Sequence, residues 1–297
     1  MYGGVEAGGT KFVCVIGRGP EEIVSTTRID VTNPTATIGA VLAFFQRAAD
    51  AGTRLGAIGI GSFGPVELRE GHPRYGWITK TPKPGWSGTD LVGPVSRAFD
   101  VPVGFDTDVN AAALAEGRCG AARGLRSFVY LTLGTGVGGG AVVDGRLVHG
   151  LGHPEIGHVA VPRLRGDAFA GACPFHGDCL EGMASGPAIA ARFGRRAETL
   201  AGVDLAAAAA LVAFYVAAGV RSLVYALAPE RIVVGGGLSA IPGMVEAARS
   251  ELAAQLAGYP GLPEHGADNF LVPAHLGGMA GPAGTLILAE AAAADRP

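Results

Sequence analysis

A cluster of cysteine, histidine and glutamate residues at 153–182 holds the side chains best suited to chemistry. This segment contains three of the seven histidines and two of the four cysteines of the 297-residue chain. Cys173, His176 and Cys179 follow one another at intervals of three residues and can converge on one ion, with His158 as a fourth donor. Two thiolates and two neutral imidazoles suit tetrahedral Zn²⁺, and four protein ligands leave no open coordination position. The pattern predicts a structural zinc site, with a disulfide between Cys173 and Cys179 as the alternative.

Glu155 and Glu181 stand beside the predicted zinc ligands in the sequence. A site already filled by four ligands has no place for either of them. A metal that makes the segment rigid would also fix both carboxylates, and fixed carboxylates can accept hydrogen bonds from hydroxyl groups. Glu155 and Glu181 are therefore candidates for binding hydroxyl groups.

Composition restricts the class of protein. With 48% hydrophobic and 16% charged residues, the chain can bury a large core as one large or two medium domains, and we expect two. The net charge of -3 and the lack of a Lys/Arg cluster argue against a nucleic-acid surface. The longest apolar run, at 205–216, is shorter than a membrane span, and no secretory leader follows Met1. We therefore expect a soluble, cytoplasmic protein without a membrane partner, and a reducing compartment favours zinc over the disulfide.

Two stretches share one pattern, in which a turn of glycine and threonine joins two apolar strands. The first has strands at 3–7 and 12–16, and the second has strands at 127–133 and 141–143. Both turns set a threonine among glycines. We interpret this internal repeat as two lobes of similar topology.

The other predicted elements alternate between strands and helices, an order typical of mixed sheets covered by helices. Further strands are predicted at 23–29, 55–60, 101–105, 232–234 and 270–272, and helices at 35–51, 109–118, 185–193, 205–227, 241–256 and 281–294. A stretch at 71–88 is rich in Pro, Gly, Trp and Lys and has no periodicity. It is predicted as a long surface loop, and loops of this length tend to be functional.

Three glycine-rich turns offer backbone N–H groups to an anion. The turn 134–139 has Gly-x-Gly-x-x-Gly spacing, but a strand rather than a helix follows it, which argues against a Rossmann site. It can still bind phosphate through its amides and the Thr135 hydroxyl, and the turn 8–11 has the same groups. Either turn alone could be a tight turn without a ligand. Together with a third turn at 235–237 they favour a bound nucleotide.

Asp108 lies where the predicted strand 101–105 passes into the predicted helix 109–118. A helix N-terminus stabilises an ionised carboxylate, and such a carboxylate can accept the proton of a hydroxyl during phosphoryl transfer. A general base of this kind contributes about 10²- to 10⁴-fold to the rate. The alternative role is an ordinary helix N-cap. Because the glycine turns favour a bound nucleotide, we interpret Asp108 as the general base.

Five segments occur in the same order as in the ROK family of sugar kinases, which the chain resembles over essentially its whole length. They are 6–11 (Glu-Ala-Gly-Gly-Thr-Lys), 106–110 (Asp-Thr-Asp-Val-Asn), 133–139 (Leu-Gly-Thr-Gly-Val-Gly-Gly), 153–158 (His-Pro-Glu-Ile-Gly-His) and 173–181. The last two are specific. In segment 173–181, Cys-x-x-His-x-x-Cys-x-Glu replaces the usual ROK pattern Cys-x-Cys-Gly-x-x-Gly-Cys-x-Glu, as in the fructokinase branch.

The resemblance implies an α/β fold of the two-lobed actin-like ATPase (ribonuclease H-like) type, with ATP and sugar in the cleft between the lobes. The first lobe would comprise 1–108, completed by the C-terminal helix 283–297. The second would comprise 109–282 and contain the zinc loop 153–182.

The same resemblance assigns roles to individual residues. Asp108 would deprotonate the sugar 6-hydroxyl, and Glu6 would hold Mg²⁺ through water. The sugar would be bound by Thr107, Asp108, Glu155, His158 and Glu181. ATP would be bound by Gly8, Gly9, Thr10, Lys11, Thr132, Gly134, Thr135, Gly136, Gly138, Gly235, Gly236 and Gly237. Zinc would be held by His158, Cys173, His176 and Cys179.

The expected activity is ATP- and Mg²⁺-dependent phosphorylation of D-fructose at its 6-hydroxyl, with mannose as a second substrate. Thr107 stands where the glucokinase branch has asparagine, which argues against glucose. Glucose, mannose and N-acetylmannosamine kinases are the alternatives. ROK members also include sugar-responsive transcriptional regulators, but the first strand begins near Gly3 without a preceding helix-turn-helix. The resemblance implies a homodimer.

Overall fold

The computed structural model describes residues 1–294, which form strands and helices in alternation. The strands are β1 (Tyr2–Ala7), β2 (Lys11–Gly19), β3 (Glu22–Asp30), β4 (Ala57–Ser62), β5 (Trp77–Ile78), β6 (Thr89–Asp90), β7 (Val103–Thr107), β8 (Phe128–Leu133), β9 (Val137–Val143), β10 (Arg146–Leu147), β11 (Arg231–Gly235) and β12 (Leu271–Pro273). The α-helices are α1 (Pro34–Asp50), α2 (Val92–Phe99), α3 (Asp108–Cys119), α4 (Leu180–Ala184), α5 (Gly186–Phe193), α6 (Gly202–Leu227), α7 (Met244–Leu256) and α8 (Ala280–Ala294).

Two five-stranded sheets share one topology. The first has the strand order β3-β2-β1-β4-β7, and the second has the order β10-β9-β8-β11-β12. In each sheet the first three strands pair antiparallel and the remaining pairs are parallel. The internal repeat predicted from the two glycine turns is therefore confirmed.

The chain divides into two compact units. The first comprises Met1–Arg123, Val148–His153 and the segment that begins at Gly278. The second comprises Gly124–Leu147 and Pro154–Gly277. Of the predicted C-terminal helix 283–297, the part up to Ala294 belongs to α8, and residues 295–297 lie outside the described residues.

The first unit extends past the expected boundary at Asp108 because helix α3 packs against α8. A Cβ at Gly284 would lie only 1.7 Å from the carbonyl oxygen of Ala111, so glycine at this position lets the two helices approach closely. The boundary consequently falls after Arg123, once α3 is complete.

The first sheet is covered on both faces, as the apolar run of β2 predicts. Phe12 on one face belongs to a cluster with Phe45 of α1. Val13 and Val15 on the other face pack against Leu286 of α8. Alternate residues of one strand thus fix helices on opposite sides of the sheet.

Helix α6 is longer than its apolar run indicated. Its 26 residues are long and apolar enough to cross a membrane by length and composition, which corrects the expectation drawn from 205–216. However, 56% of its most apolar window is buried within the protein, and α6 packs along α7 and α4. Such burial is typical of a core helix in a globular protein.

The stretch predicted as a loop at 71–88 contains some regular structure. Its strand β5 pairs antiparallel with β6, and helix α2 follows directly. These short elements lack enough residues to show a period in the sequence. The fold nevertheless ties the stretch down, since the N–H of Gly76 donates to Glu67 and that of Leu91 donates to Gly76.

Candidate active site and zinc centre

The carboxyl ends of three parallel strands define one edge of the first sheet. Ala7, Ser62 and Thr107 are successive neighbours across β1, β4 and β7. The glycine turn 8–10 follows β1, and Asp108 follows β7. The structure therefore brings the predicted phosphate-binding turn and the predicted general base to the same edge.

Asp108 is the first residue of α3, and its neighbour Thr107 caps the helix. The Thr107 hydroxyl accepts a hydrogen bond from the N–H of Asn110 at 3.1 Å. Asp108 Oδ1 accepts one from the N–H of Val109 at 2.9 Å. The N-cap is thus Thr107, so the alternative role proposed for Asp108 belongs to its neighbour. Thr107 is only 3% exposed, and its oxygen already serves the backbone.

Asp106 holds the end of strand β7 in place. Its Oδ1 accepts hydrogen bonds from the N–H of Thr107 at 2.7 Å and from Asn110 Nδ2 at 2.6 Å. Its Oδ2 lies 2.9 Å from His149 Nε2, and this hydrogen bond raises the pKa of His149. His149 was not predicted as a partner of Asp106, since a single histidine distant in the chain belongs to no local pattern.

Glu6 lies near the same edge, against the first turn of α8. A Cβ at Gly281 would lie 2.1 Å from Glu6 Oε1. Burial and the nearby charge of Asp108 raise the pKa of Glu6 to about 7, while Lys11 opposes the shift. A divalent cation would favour the ionised carboxylate, and carboxylate oxygen is the donor that Mg²⁺ prefers. Glu6 thus fits a magnesium-binding role.

The turn 134–136 of the second unit is held by groups from two helices. Glu181 of α4 accepts a hydrogen bond at Oε2 from the N–H of Val137 at 3.0 Å. The N–H of Gly186 at the start of α5 donates to the carbonyl of Gly134 at 2.7 Å. Thr132 and Gly138 pair across β8 and β9, directly beside this turn. The predicted nucleotide-binding residues of this segment are therefore neighbours of Glu181.

The turn 235–237 lies at the same edge of the second sheet. Gly235 pairs with Thr132 at the carboxyl ends of β11 and β8. Gly236 has φ +85°, and a Cβ there would meet the carbonyl oxygen of Leu133 at 2.4 Å, so that no other residue fits. A 3₁₀ helix begins at Gly237.

A short 3₁₀ helix, Ile156–His158, packs on strand β9, with Glu155 directly before it and His158 as its last residue. A Cβ at Gly157 would lie 1.8 Å from the carbonyl oxygen of Val137. Burial raises the pKa of Glu155, the charge of His158 lowers it and the charge of Glu181 raises it. The two predicted sugar-binding glutamates therefore lie near enough for their charges to interact.

The predicted zinc ligands converge. His158 Nδ1 lies 3.5 Å from Cys179 Sγ and 3.7 Å from Cys173 Sγ, and His176 Nδ1 lies 3.8 Å from Cys173 Sγ. All four ligand atoms lie within 4.8 Å of one another. Tetrahedral Zn²⁺, with bonds of about 2.3 Å to sulfur and about 2.0 Å to nitrogen, separates these atoms by about 3.6 Å. The donor set fits zinc, and Cys173 and Cys179 are free thiols rather than a disulfide.

A buried ion pair that the sequence did not reveal supports the zinc loop. Arg192 of α5 donates to both carboxylate oxygens of Asp167 at 2.8 Å, and Tyr215 also donates to Asp167. Arg192 holds the pKa of Asp167 well below its usual range. The Arg192 guanidinium also lies over the ring of Phe169, 4.2 Å from its centroid. These contacts fix the stretch before Cys173 to helices α5 and α6.

The model of the ROK family matches residues 2–292 of the chain. The chain belongs to the ROK family. Its relatives include a fructokinase from Zymomonas mobilis, 42% identical over 98% of this chain and 97% of that protein. A fructokinase from Pediococcus pentosaceus is 39% identical over 98% of both proteins. The ROK resemblance inferred from the five sequence segments is thereby confirmed.

Solved ROK structures share the fold over its full length. A ROK hexokinase from Thermus thermophilus has a TM-score of 0.79 and 30% identity and covers 99% of both chains. A ROK family glucokinase from Streptomyces griseus, in complex with glucose and AMPPNP, has a TM-score of 0.77 and 25% identity, covering 98% of this chain and 99% of that one. The protein thus has the two-lobed α/β actin-like ATPase fold of ROK kinases, as predicted.

Proposed function

We propose that this ROK protein is a fructokinase that transfers the γ-phosphoryl group of ATP to the 6-hydroxyl of D-fructose. The observation that carries the proposal is its similarity, at about 40% identity and over nearly the whole chain, to fructokinases from several bacteria. We further propose that the enzyme is a cytoplasmic homodimer. Light scattering after gel filtration would measure the mass of this dimer.

In the proposed reaction Asp108 accepts the proton of the sugar 6-hydroxyl as the 6-oxygen attacks the γ-phosphorus of ATP. The position of Asp108 in the first turn of α3 supports this role, because the helix dipole favours an ionised carboxylate there. The turn 8–11, at the same sheet edge, would bind phosphate through backbone N–H groups and Lys11. Thr132 and the turns 134–138 and 235–237 would bind the rest of ATP.

Glu155, His158 and Glu181 would hold the sugar hydroxyls. Glu181 is oriented by the N–H of Val137, so its carboxylate is held in place before a sugar arrives, and Glu155 is near enough for the two charges to interact. Preorganised acceptors lose little conformational freedom on binding. Thr107 would contribute to sugar binding through its backbone, at the helix cap that it forms next to Asp108.

Two metals would assist in different ways. Mg²⁺, held through water by Glu6, would neutralise phosphate charge. Zn²⁺, held by His158, Cys173, His176 and Cys179, would have a closed coordination shell and a structural role. It would fix the segment that carries Glu181, which lies two residues after Cys179.

A coupled assay with fructose, glucose, mannose and N-acetylmannosamine tests the proposal. We expect the highest kcat/KM with fructose, followed by mannose, and ADP formation that requires Mg²⁺. A glucose or N-acetylmannosamine kcat/KM far above that of fructose would contradict the choice of substrate. Absence of sugar-dependent ADP formation with every hexose would contradict the kinase activity.

A further inference from the structure

Lys83 lies outside the predicted site residues but contacts the first glycine turn. Its Nζ donates a hydrogen bond to the carbonyl oxygen of Gly9, which is 74 residues away in the sequence. Gly9 is the central residue of the turn between β1 and β2. The stretch 71–88 thus delivers an ammonium group to the edge of the sheet where Asp108 also lies.

Trp86 anchors the stretch that carries Lys83. Its side chain is fully buried, with ring centroids 5.4 Å from Phe12 and 5.7 Å from Phe63. Its indole Nε1 donates to the carbonyl of Thr32 at 3.3 Å, and its backbone N–H donates to the carbonyl of Lys83 at 3.2 Å. Since Phe12 directly follows the glycine turn in β2, this anchor fixes Lys83 relative to the turn.

Lys83 forms no ion pair with an acidic side chain within residues 1–294. The ammonium group has three donors, and in this part of the chain Gly9 is its one hydrogen-bond acceptor. Partial burial lowers the pKa of Lys83. A partly desolvated cation with unused donors is suited to an anionic ligand.

The surroundings of Gly9 can accept such a ligand. A Cβ at Gly9 would meet no atom within 4 Å, so space is open beside the turn. Within the described residues, the N–H groups of Gly9 and Thr10 donate to no protein acceptor. Lys11 adds a second ammonium group at the end of the turn. One ammonium group in contact with the turn, a second lysine at its end and two backbone N–H groups without a protein acceptor thus belong to the same short segment.

We propose that Lys83 binds the phosphate chain of ATP beside turn 8–11 and stabilises the charge that develops during transfer. The inference rests on the proposed kinase function. In the transfer, a bond forms between the sugar 6-oxygen and the γ-phosphorus, and the bond from this phosphorus to the β,γ-bridging oxygen breaks. The hydroxyl proton passes to Asp108, ADP leaves, and Lys83 keeps its protons throughout.

Binding calorimetry with ADP and with adenosine separates a phosphate contact from a general effect. Lys83→Met should weaken ADP binding by roughly ten- to hundredfold, the effect of losing a charged hydrogen-bond partner. Adenosine and fructose binding should not change, and kcat should fall. Lys83→Arg should restore part of the ADP affinity because it keeps the charge. Lys80→Met is the matched control, because Lys80 is an exposed lysine of the same stretch, and it should bind ADP like the wild type.

Several outcomes would overturn the role of Lys83. They are unchanged ADP affinity in Lys83→Met, an equal loss of ADP and adenosine affinity, or a change confined to the fructose KM. If Lys83→Met fails to fold, Lys83→Arg provides the test. A lysine that served only as a structural tether to Gly9 would leave the ADP affinity and kcat of Lys83→Arg at their wild-type values, and that result would overturn the proposed role. Wild-type protein that binds ADP but phosphorylates no hexose would contradict the kinase function alone, because the binding experiment requires no turnover.

Discussion

The turns that follow β1 and β8 occupy equivalent positions in two sheets of the same strand order, yet they carry opposite charge. The turn after β1 contacts the Lys83 ammonium group and is followed directly by Lys11, and the nearby Glu6 has its pKa raised to about 7. The turn after β8 is bound by the Glu181 carboxylate through the N–H of Val137. The first turn is therefore suited to phosphate, and the second also orients an acceptor for sugar hydroxyls.

The difference arises from segments that lie outside the repeat. Lys83 comes from the stretch between β4 and β7, whereas Glu181 comes from α4, directly after the zinc ligands. The strand ends differ as well, since β7 ends with Asp106 and Thr107 before Asp108, while its counterpart β12 ends at Pro273. One duplicated topology thus supplies two similar backbone turns, and inserted segments give each turn its chemistry.

The largest effect is expected from removing the base beside the first turn. Asp108→Asn should lower kcat by roughly 10²-fold or more while fructose binding is retained, because the amide fills the same space but cannot accept the proton. Asp100→Asn is the control. It changes an exposed residue with φ 48°, a conformation that asparagine tolerates, and should leave kcat unchanged. Near-normal kcat in Asp108→Asn would show that the first edge does not supply the base.

Loss of zinc should release the Glu181 side chain at the second turn and leave the nucleotide-binding backbone of both turns in place. Cys179→Ser removes one of four ligands, so we expect loss of bound zinc, a lower Tm and roughly tenfold weaker fructose binding, since Glu181 is no longer fixed. ADP affinity should remain. Metal analysis, calorimetry and thermal unfolding measure these effects, with Cys119→Ser, outside the cluster, as the control. A zinc-free variant with unchanged fructose affinity would break the link between metal and sugar.

A smaller change tests the carboxylate of the second turn directly. Glu181→Gln keeps an oxygen that can accept from Val137 N–H but removes the charge, and the fructose KM should rise by roughly tenfold. The ADP affinity should stay at its wild-type value, in contrast to Lys83→Met. Equal losses of sugar and nucleotide affinity in both variants would mean that the two turns do not divide the substrates as we infer.

Much of the fold could be predicted from local patterns. Alternating apolar strands around glycine turns predicted the repeat, and the spacing of Cys173, His176 and Cys179 predicted the convergence of the zinc ligands, because these ligands lie close in sequence. The contact of Lys83 with Gly9 and that of Arg192 with Asp167 were not predictable. Both join distant segments, and neither lysine nor arginine in a loop or helix signals its partner.

Other differences arose from packing between elements. The first unit extends to Arg123 because glycine at 284 allows α3 to approach α8, a contact without any signal in the sequence of α3. Helix α6 begins at Gly202, before the predicted start at Leu205, and ends at Leu227 as predicted. Packing between helices thus set the boundary of the first unit, which no local sequence pattern indicated.

The smallest effect is expected at the acidic end of β7, which β12 lacks, where Asp106 binds His149 and contributes to thermal stability. The hydrogen bond to Asp106 raises the pKa of His149, so the folded protein holds this proton more tightly than the unfolded chain does. The stabilisation is complete below the unfolded pKa of about 6.5 and is lost as the pH rises through the folded-state pKa. Because the His149 side chain is 40% exposed, solvent weakens the pair. His149→Gln should therefore lower Tm by about 1–2 °C at pH 6 and by less at pH 8. An equal difference in Tm at both pH values, measured by calorimetry, would mean that Asp106 positions the start of α3 without a charged partner.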